Sequence, residues 1–266
     1  MILHVPHASR KIPADVRRTL LLDDAELERE LTRMTDAWTD ELFLGAAGSG
    51  DATVVFPVSR LVVDPERFED DALEPMASVG MGAVYVRTSH GAPLRAPLPD
   101  RERQALLNHF YRPHHRALEE AVGRELGRTG SALIVDCHSF PSLPLPYERD
   151  RSLRRPEICI GTDAFHTPAE LRRAATLLFE RLGHEVALDT PFSGSIVPQR
   201  WYRSDPAVRS IMVEVRRDLF MDERSGERLP GFGAFSDKLR RALCALATAA
   251  APATRPTHTL VLRFEQ

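Results

Sequence analysis

The segment Ile134-Val135-Asp136-Cys137-His138-Ser139-Phe140 is typical of a buried strand that delivers a histidine to a polar loop. In open α/β proteins ligands bind at the carboxyl ends of the strands, so a metal ligand is expected at such a position. Two further segments extend the pattern. An early strand ends in His4-Val5-Pro6-His7, and a late apolar run, Ile211-Met212-Val213-Glu214-Val215, carries a single carboxylate. Together the three segments predict a zinc hydrolase.

Length and composition set the frame for this prediction. The chain has 266 residues, of which 43% are hydrophobic, which is enough for a sizeable core. We expect a single domain over residues 1–266, with residues 250–266 as a tail that could be loosely attached. The formal net charge is -3 with both signs spread along the chain. This balance of charges argues against nucleic acid or an anionic membrane surface as a partner. The sequence makes no prediction about oligomeric state.

Cysteine usage and hydropathy predict the compartment. Three cysteines without a C-x-x-C spacing argue against a disulfide framework and against a thiolate zinc finger. The N-terminus has no basic segment followed by a long apolar run, and no stretch approaches the ~18 apolar residues of a membrane helix. We therefore expect a cytoplasmic protein.

Strand-like and helix-like segments alternate along the chain. Short β-branched or apolar runs predict strands at 1–5, 53–58 continuing into 61–63, 132–135, 158–160, 185–188 and 210–215. Helical periodicity predicts helices at 23–44, 101–126, 168–182 and 237–250, and 257–264 could add a late edge strand. This alternation predicts an α/β fold, a three-layer α/β/α sandwich around a mixed, largely parallel sheet.

Two of the ten histidines stand out as candidate metal ligands. His7 and His138 each close an apolar strand and are followed by small polar residues, which permit supporting hydrogen bonds. A catalytic zinc usually has three protein ligands, so a carboxylate is also needed. Asp36, among bulky core-type residues, is the preferred candidate; the alternative is a helix-surface acid or an N-cap. His4 competes with His7, because both could bind only if Pro6 breaks the strand alternation.

Glu214 is the candidate for proton transfer. A lone carboxylate inside an apolar strand is costly to bury unless it is paired. A raised pKa would suit it to accept a proton from water and return it to a leaving amine. The alternative is a salt bridge to Arg216 or Arg217.

Two arginines flank the apolar run at 61–63. Arg60 and Arg67 could anchor an acidic substrate or stabilise a developing oxyanion, because a guanidinium keeps its charge and binds carboxylates bidentately. One of them could instead bridge to Asp64. The motifs G-x-S-x-G, G-x-x-x-x-G-K-[ST] and H-E-x-x-H are absent from the sequence.

With these residues in place, the chain resembles the N-formylglutamate amidohydrolases, the deformylases of histidine breakdown. The likeness runs in order through almost the whole chain, and the ordered set of motifs carries it. The motifs are His4-Val5-Pro6-His7-Ala8-Ser9 with Ile12-Pro13, Thr35-Asp36 ahead of Asp40-Glu41-Leu42-Phe43, Ser59-Arg60-Leu61-Val62-Val63-Asp64 with Arg67, Asp136-Cys137-His138-Ser139, Gly161-Thr162, Pro191-Phe192-Ser193-Gly194, and Glu214-Val215-Arg216 with Leu219-Phe220-Met221-Asp222.

The family is similar to the zinc carboxypeptidases and aspartoacylases, which implies a carboxypeptidase-like α/β/α sandwich with one catalytic zinc per chain. By this resemblance His7, Asp36 and His138 would be the zinc ligands. Glu214 would be the general base and acid.

The resemblance also implies which residues would contact the substrate. Arg60 would polarise the scissile carbonyl and Arg67 would hold a substrate carboxylate, with Arg216 and Ser139 as further substrate contacts. Two departures bear on specificity. Glu66 stands where the related motif has asparagine, beside Arg67, and Arg216 replaces an asparagine often found two residues after the glutamate.

The expected function is a zinc-dependent hydrolase that cleaves the linear amide of an N-acyl acidic amino acid. The first candidate reaction converts N-formyl-L-glutamate to L-glutamate and formate. One alternative is a zinc hydrolase of another N-acyl amino acid or a small peptide. A second is a metal-free binding protein on the same fold.

Overall fold

A six-stranded sheet forms the centre of the computed structural model, which describes residues 1–250. Its strands are β1 Ile2–Val5, β2 Ala52–Val55, β3 Ala132–Phe140, β4 Ile158–Gly161, β5 Val186–Leu188 and β6 Val208–Arg216. Across the sheet they lie in the order β2-β1-β3-β6-β4-β5. Strands β2, β1, β3 and β6 run parallel to one another, whereas β4 pairs antiparallel with β6 and β5 runs parallel to β4. The predicted mixed, largely parallel sheet is confirmed.

Helices cover both faces of this sheet. They are α1 Ala14–Arg17, α2 Asp24–Met34, α3 Thr39–Leu44, α4 Asp100–Leu106, α5 Arg112–Thr129, α6 Ala169–Arg181 and α7 Phe232–Ala249. A π-helical turn, Leu107–Tyr111, joins α4 to α5, and short 3-10 helices lie at Pro75–Val79 and Arg217–Leu219. Helices α3, α6 and α7 pack on one face and α5 packs on the other. The predicted three-layer α/β fold is confirmed.

The central strands are apolar on both faces because helices cover both. Leu3 of β1 and Val135 of β3 point into the core under α3, α6 and α7. Their neighbours Ile2 and Ile134 point to the opposite face and pack against α5. All four side chains are fully buried. An unbroken apolar run is therefore expected in β1 and β3 up to the polar residues of the site, as at residues 132–135.

Several sequence-based boundaries differ from the structure, and three of these differences lie next to the predicted site residues. The predicted helix 23–44 is two helices. The backbone N–H of Asp36 donates to the carbonyl of His7, which draws the chain out of the helix. Trp38 then takes a left-handed conformation, with φ 66°. Strand β3 continues to Phe140, so His138 lies inside the strand and not in a following loop. Residues 61–63 form a buried turn and not a strand.

The predicted edge strand at 257–264 lies outside the described residues. The predicted closing helix is present as α7 and begins earlier than the sequence suggested. Within residues 1–250, every helix is too short or too polar to cross a membrane.

Candidate functional site

Three parallel central strands bring the predicted polar residues to one edge of the sheet. Strands β1, β3 and β6 run in the same direction, so their carboxyl ends lie together. His7 follows β1 by two residues, and His138 lies near the end of β3. Glu214 on β6 is the direct register partner of His138. The sheet itself therefore places Glu214 beside this histidine.

His7, Asp36 and His138 form a buried cluster at this edge. Their ligand atoms all lie within 4.8 Å of one another. Nδ1 of His138 is 3.0 Å from Oδ2 of Asp36, and Nδ1 of His7 is 3.7 Å from the same oxygen. The structure thus brings the three predicted metal ligands together, with both Nδ1 atoms turned toward one carboxylate oxygen.

Two further carboxylates contact the imidazoles of His7 and His138 through Nε2, the ring nitrogen that points away from Asp36. Nε2 of His7 lies 2.8 Å from Oδ1 of Asp64, and Nε2 of His138 lies 3.1 Å from Oδ1 of Asp136. An ionised carboxylate accepts hydrogen bonds only, so the ring of His7 carries its proton on Nε2 and offers Nδ1 as a lone pair. Both nitrogens of His138 lie against carboxylates, so this ring would give up the proton that Nδ1 shares with Asp36 when it binds a metal.

The donor set fits a divalent transition metal. Nδ1 of His7 is buried and has no hydrogen-bond partner within residues 1–250. Burial alone would raise the pKa of the Asp36 carboxyl, but His138, His7 and the charge of Arg217 outweigh it and hold that pKa well below its ordinary value. An ionised carboxylate and two imidazole nitrogens are ligands that zinc prefers. These three residues could therefore hold one zinc ion.

Glu214 is buried beside this cluster without a salt bridge. Its side chain is 6% exposed, and Oε2 has no hydrogen-bond partner within residues 1–250. Burial, reinforced by the charges of Asp36 and Glu66, raises the pKa of Glu214 to about 8 against the opposing effect of His138 and Arg217. A carboxyl group with this pKa exchanges protons near neutral pH.

The salt bridge considered as the alternative role for Glu214 is not formed. Arg216 donates through Nε to Asp218 over 2.8 Å and through Nη1 to the carbonyl of Arg155 over 2.7 Å. Arg217 is bound to Asp36. Both arginines thus have other partners, and Glu214 remains available for chemistry.

Arg60 and Arg67 lie on either side of Asp64. Arg60 donates to Oδ2 of Asp64 through Nη2 at 2.7 Å and through Nε at 3.1 Å, and the hydroxyl of Tyr85 also donates to this oxygen. The bridge to Asp64 that the sequence left open for one arginine is therefore made by Arg60. Nε of Arg67 is 3.9 Å from Asp64 and has no hydrogen-bond partner within residues 1–250. Of the two arginines, Arg67 thus has fewer contacts to other side chains.

Ser139 and Glu66 both contact residues of the metal-ligand cluster. The Ser139 hydroxyl accepts a hydrogen bond from Nε of Arg217 over 3.2 Å, and its backbone N–H donates to Asp36 over 3.3 Å. The carboxylate of Glu66 lies 3.0 Å from Nε2 of His138. Glu66 is therefore directed at an imidazole, where the sequence alone suggested an effect on neighbouring Arg67.

Sequence reasoning missed three supporting residues, Asp64, Asp136 and Arg217. Asp136 carried a usable signal, because it stands two residues before His138 in the same strand and must point to the same face. Arg217 donates through Nη2 to Oδ1 of Asp36 over 2.9 Å. No local sequence pattern predicts the contact between Arg217 and Asp36, since the two residues lie far apart in sequence.

Comparison with known proteins gives independent evidence on the family and the fold of this chain. The family model described as N-formylglutamate amidohydrolase matches residues 1–221. The crystal structure of N-formylglutamate amidohydrolase from Ralstonia eutropha JMP134 superposes with a TM-score of 0.80 at 25% sequence identity, covering 93% of this chain and 92% of that chain. A gene product of Agrobacterium tumefaciens shares the fold, with a TM-score of 0.62, 20% identity and coverage of 92% and 91%. No curated protein gives a significant match.

Proposed function

The chain belongs to the N-formylglutamate amidohydrolase family, and from that membership we propose a zinc-dependent hydrolase that cleaves the linear amide of an N-acyl acidic amino acid. N-formyl-L-glutamate, cleaved to L-glutamate and formate, is the first candidate substrate. The observation that carries the proposal is the buried His7, Asp36 and His138 cluster with Glu214 in register beside it. The proposal further comprises one domain over residues 1–266, a small acidic substrate, a role in histidine degradation and a cytoplasmic location.

One zinc ion would be held by His7 and His138 through Nδ1 and by Asp36 through Oδ2. When bound, zinc supplies Lewis-acid polarisation and makes a water molecule more acidic. Asp64 and Asp136 fix the orientation of the two imidazoles, and Arg217 fixes that of Asp36. The polypeptide thus sets the geometry of the ligands before any substrate arrives.

Glu214 would move the proton during catalysis. Its free Oε2 accepts a proton from the attacking water and later delivers it to the departing amide nitrogen. The absence of a salt bridge leaves the carboxylate able to face each group in turn. Burial in the apolar strand raises its pKa to about 8, so both protonation states are accessible near neutral pH.

The two arginines would bind and polarise the substrate. Asp64 engages Nε and Nη2 of Arg60, which aims the guanidinium and leaves Nη1 to stabilise negative charge on the carbonyl oxygen. Arg67 would hold a substrate carboxylate, since its buried Nε lacks a partner within residues 1–250. Ser139 and Arg216 stay predicted substrate contacts.

One observation favours a second candidate substrate class. The carboxylate of Glu66 is 16% exposed and lies among the imidazoles of the site. A fixed negative charge there disfavours a substrate with two carboxylates and favours an N-acyl amino acid with one, or a small peptide.

The test combines metal analysis with a substrate panel. Protein purified without a polyhistidine tag is expected to contain zinc, and to lose both zinc and turnover on chelation. The panel holds N-formyl and N-acetyl derivatives of glutamate, aspartate and glutamine together with a few dipeptides. His138→Ala should abolish zinc binding, whereas His90→Ala, at an exposed position, should not. Undiminished turnover after complete chelation would contradict the zinc mechanism, and protein that takes up no metal would favour the binding-protein alternative.

A further inference from the structure

A second group of metal-ligand side chains adjoins the first. The ligand atoms of His4, Glu66 and Asp136 all lie within 4.8 Å of one another. Nδ1 of His4 is 2.7 Å from Oδ1 of Asp136 and 3.8 Å from Oε1 of Glu66. His4 is fully buried and Asp136 is 2% exposed, whereas the Glu66 side chain is 16% exposed. The group is therefore closed on the sheet side and open on the Glu66 side.

The sheet holds two of these three residues in a fixed relation. His4 on β1 and Asp136 on β3 are register partners in a parallel pair, so their side chains emerge side by side on one face. Nε2 of His4 lies 2.8 Å from Nε2 of His114, which supports the ring from behind. Oδ2 of Asp136 accepts from the backbone N–H of Ile196 over 3.3 Å, and Oδ1 is turned toward both His4 and His138. Both potential ligands are thus oriented by contacts outside the group.

Glu66 is also positioned, and its carboxylate accepts no hydrogen bond within residues 1–250. Its backbone N–H donates to Asp64 over 2.9 Å, which anchors the residue. Its carboxylate oxygens lie 3.0 Å from Nε2 of His138, 3.7 Å from Nδ1 of His7 and 3.8 Å from Nδ1 of His4. None of these three approaches has the geometry of a hydrogen bond. The carboxylate of Glu66 is thus placed among three imidazoles with no hydrogen bond to fix its rotation within residues 1–250, and it could serve as a ligand to a cation bound there.

Electrostatics lead to the same conclusion. Asp136 and Glu66 place two carboxylates within one small, largely buried group. The imidazoles of His4 and His138 lie against these carboxylates. A divalent cation bound by all three would satisfy the two carboxylates and replace the shared proton on Nδ1 of His4.

We propose that His4, Glu66 and Asp136 form a second divalent-cation site beside the one at His7, Asp36 and His138. One nitrogen and two carboxylate ligands suit Zn²⁺ or Mn²⁺, with a remaining position for water. The inference goes beyond the proposed function, because that function needs only the first ion. It also assigns His4, which competed with His7 as a ligand in the sequence: His4 lies outside the first cluster and belongs to the second.

The test is a count of bound ions at equilibrium. Tag-free protein is stripped with a chelator, dialysed against Zn²⁺ in one series and Mn²⁺ in another, and analysed for metal per chain. The wild-type chain is expected to bind two ions and Glu66→Gln one, because the amide keeps the shape of Glu66 and removes its charge. Asp70→Asn, an exposed carboxylate on the same connection, is the matched control and should still bind two.

Each result decides between the two proposals. A wild-type chain that binds one ion overturns the second site and leaves the proposed function standing, and no ion at all overturns both. Two ions in wild type and also in Glu66→Gln place the second ion elsewhere and overturn the assignment. Magnetic coupling between two Mn²⁺ ions in the wild-type protein, absent from Glu66→Gln, would support adjacent sites. If Glu66→Gln fails to fold, the wild-type count and coupling still decide.

Discussion

Arg217 donates through Nη2 to Oδ1 of Asp36 across 2.9 Å, and this leaves Oδ2 facing the two imidazoles of the candidate zinc site. The same guanidinium donates to the carbonyl of Arg33 over 2.6 Å and to the hydroxyl of Ser139 over 3.2 Å. It therefore ties the end of α2 to the end of β3. Asp36 lies between two helices, so its direction depends on this arginine.

We expect Arg217→Gln to weaken zinc binding roughly tenfold to a hundredfold, the range seen when outer partners of metal ligands are removed. The unfolding free energy should also fall by about 3–5 kcal/mol, because the buried carboxylate of Asp36 loses its charged partner. Competition with a chromophoric chelator measures the first effect and urea unfolding the second. Arg217→Lys should recover part of the zinc affinity, and exposed Arg124→Gln should leave it unchanged. Wild-type zinc affinity in Arg217→Gln would contradict this positioning role.

Replacing Glu214 separates proton transfer from metal binding. Glu214→Gln should lower kcat by about 10²–10⁴-fold, the range of general acid–base catalysis, while zinc content stays at the wild-type level. Stability should be equal or higher, because a buried carboxyl without a partner for Oε2 becomes a neutral amide. The measurements are steady-state kinetics on a confirmed substrate, elemental analysis and thermal unfolding. Half-exposed Glu119→Gln serves as the control, and unchanged turnover in Glu214→Gln would show that another group moves the proton.

Arg67 should act on substrate affinity more than on turnover. Removing the guanidinium in Arg67→Gln is expected to raise KM for an acidic substrate by about 10–100-fold, since a charge-assisted hydrogen bond contributes about 1.5–3 kcal/mol. A substrate whose side-chain carboxylate is replaced by an amide should be affected much less if that carboxylate is the one bound. Initial-rate kinetics with N-formylglutamate and N-formylglutamine make the comparison. Equal losses for both substrates would assign Arg67 to the other carboxylate, and no change in KM would remove it from the site.

His114 predicts a dependence of stability on acid pH. Burial, aided by the neighbouring His4, lowers the pKa of His114 to about 2, so the ring stays neutral in the folded protein. Below the ordinary histidine value of about 6.5 the unfolded chain binds a proton that the native chain does not, so the contribution of His114 to stability falls as pH drops, by up to about 1.4 kcal/mol per pH unit. Glu214, with its pKa raised to about 8, contributes a slope of the opposite sign over this range. His114→Gln should therefore change the measured slope by the His114 contribution.

The slope is measured by urea unfolding of chelated protein between about pH 5 and about pH 7, the window set by the ordinary histidine pKa. Burial lowers the pKa of neighbouring His115 as well, so part of the slope should persist in His114→Gln. His90→Gln, at an exposed position, should retain the full slope. An identical slope in wild type and His114→Gln would remove His114 as its source.

The sheet and its candidate site could be predicted to a large extent from the sequence, for a physical reason. Parallel central strands are buried on both faces, so they appear as unbroken apolar runs, and their carboxyl ends collect the ligands. His7 and His138 were predicted from that rule, and the structure places both beside Asp36.

The remaining features depend on contacts between distant residues. The helix predicted through 23–44 breaks because Asp36 bonds to the backbone of His7, and local periodicity carries no trace of that bond. The apolar turn at 61–63 resembles a strand because its side chains are buried, although its backbone pairs with no neighbouring strand. Arg217 lies beyond β6 and reaches Asp36 across the fold, so only the assembled structure reveals it.

The register that sets His138 opposite Glu214 also ties function to folding. Side chains alternate along a strand, so a shift of β3 against β6 by one residue would turn one of these two side chains away from the site. A long connection separates the strands in sequence, and neither strand holds the full set of reactive groups. Metal binding needs only His7, Asp36 and His138, whereas catalysis also needs Glu214 in register with His138. In a refolding chain, the interval between metal uptake and the return of activity therefore reports when β6 pairs with β3.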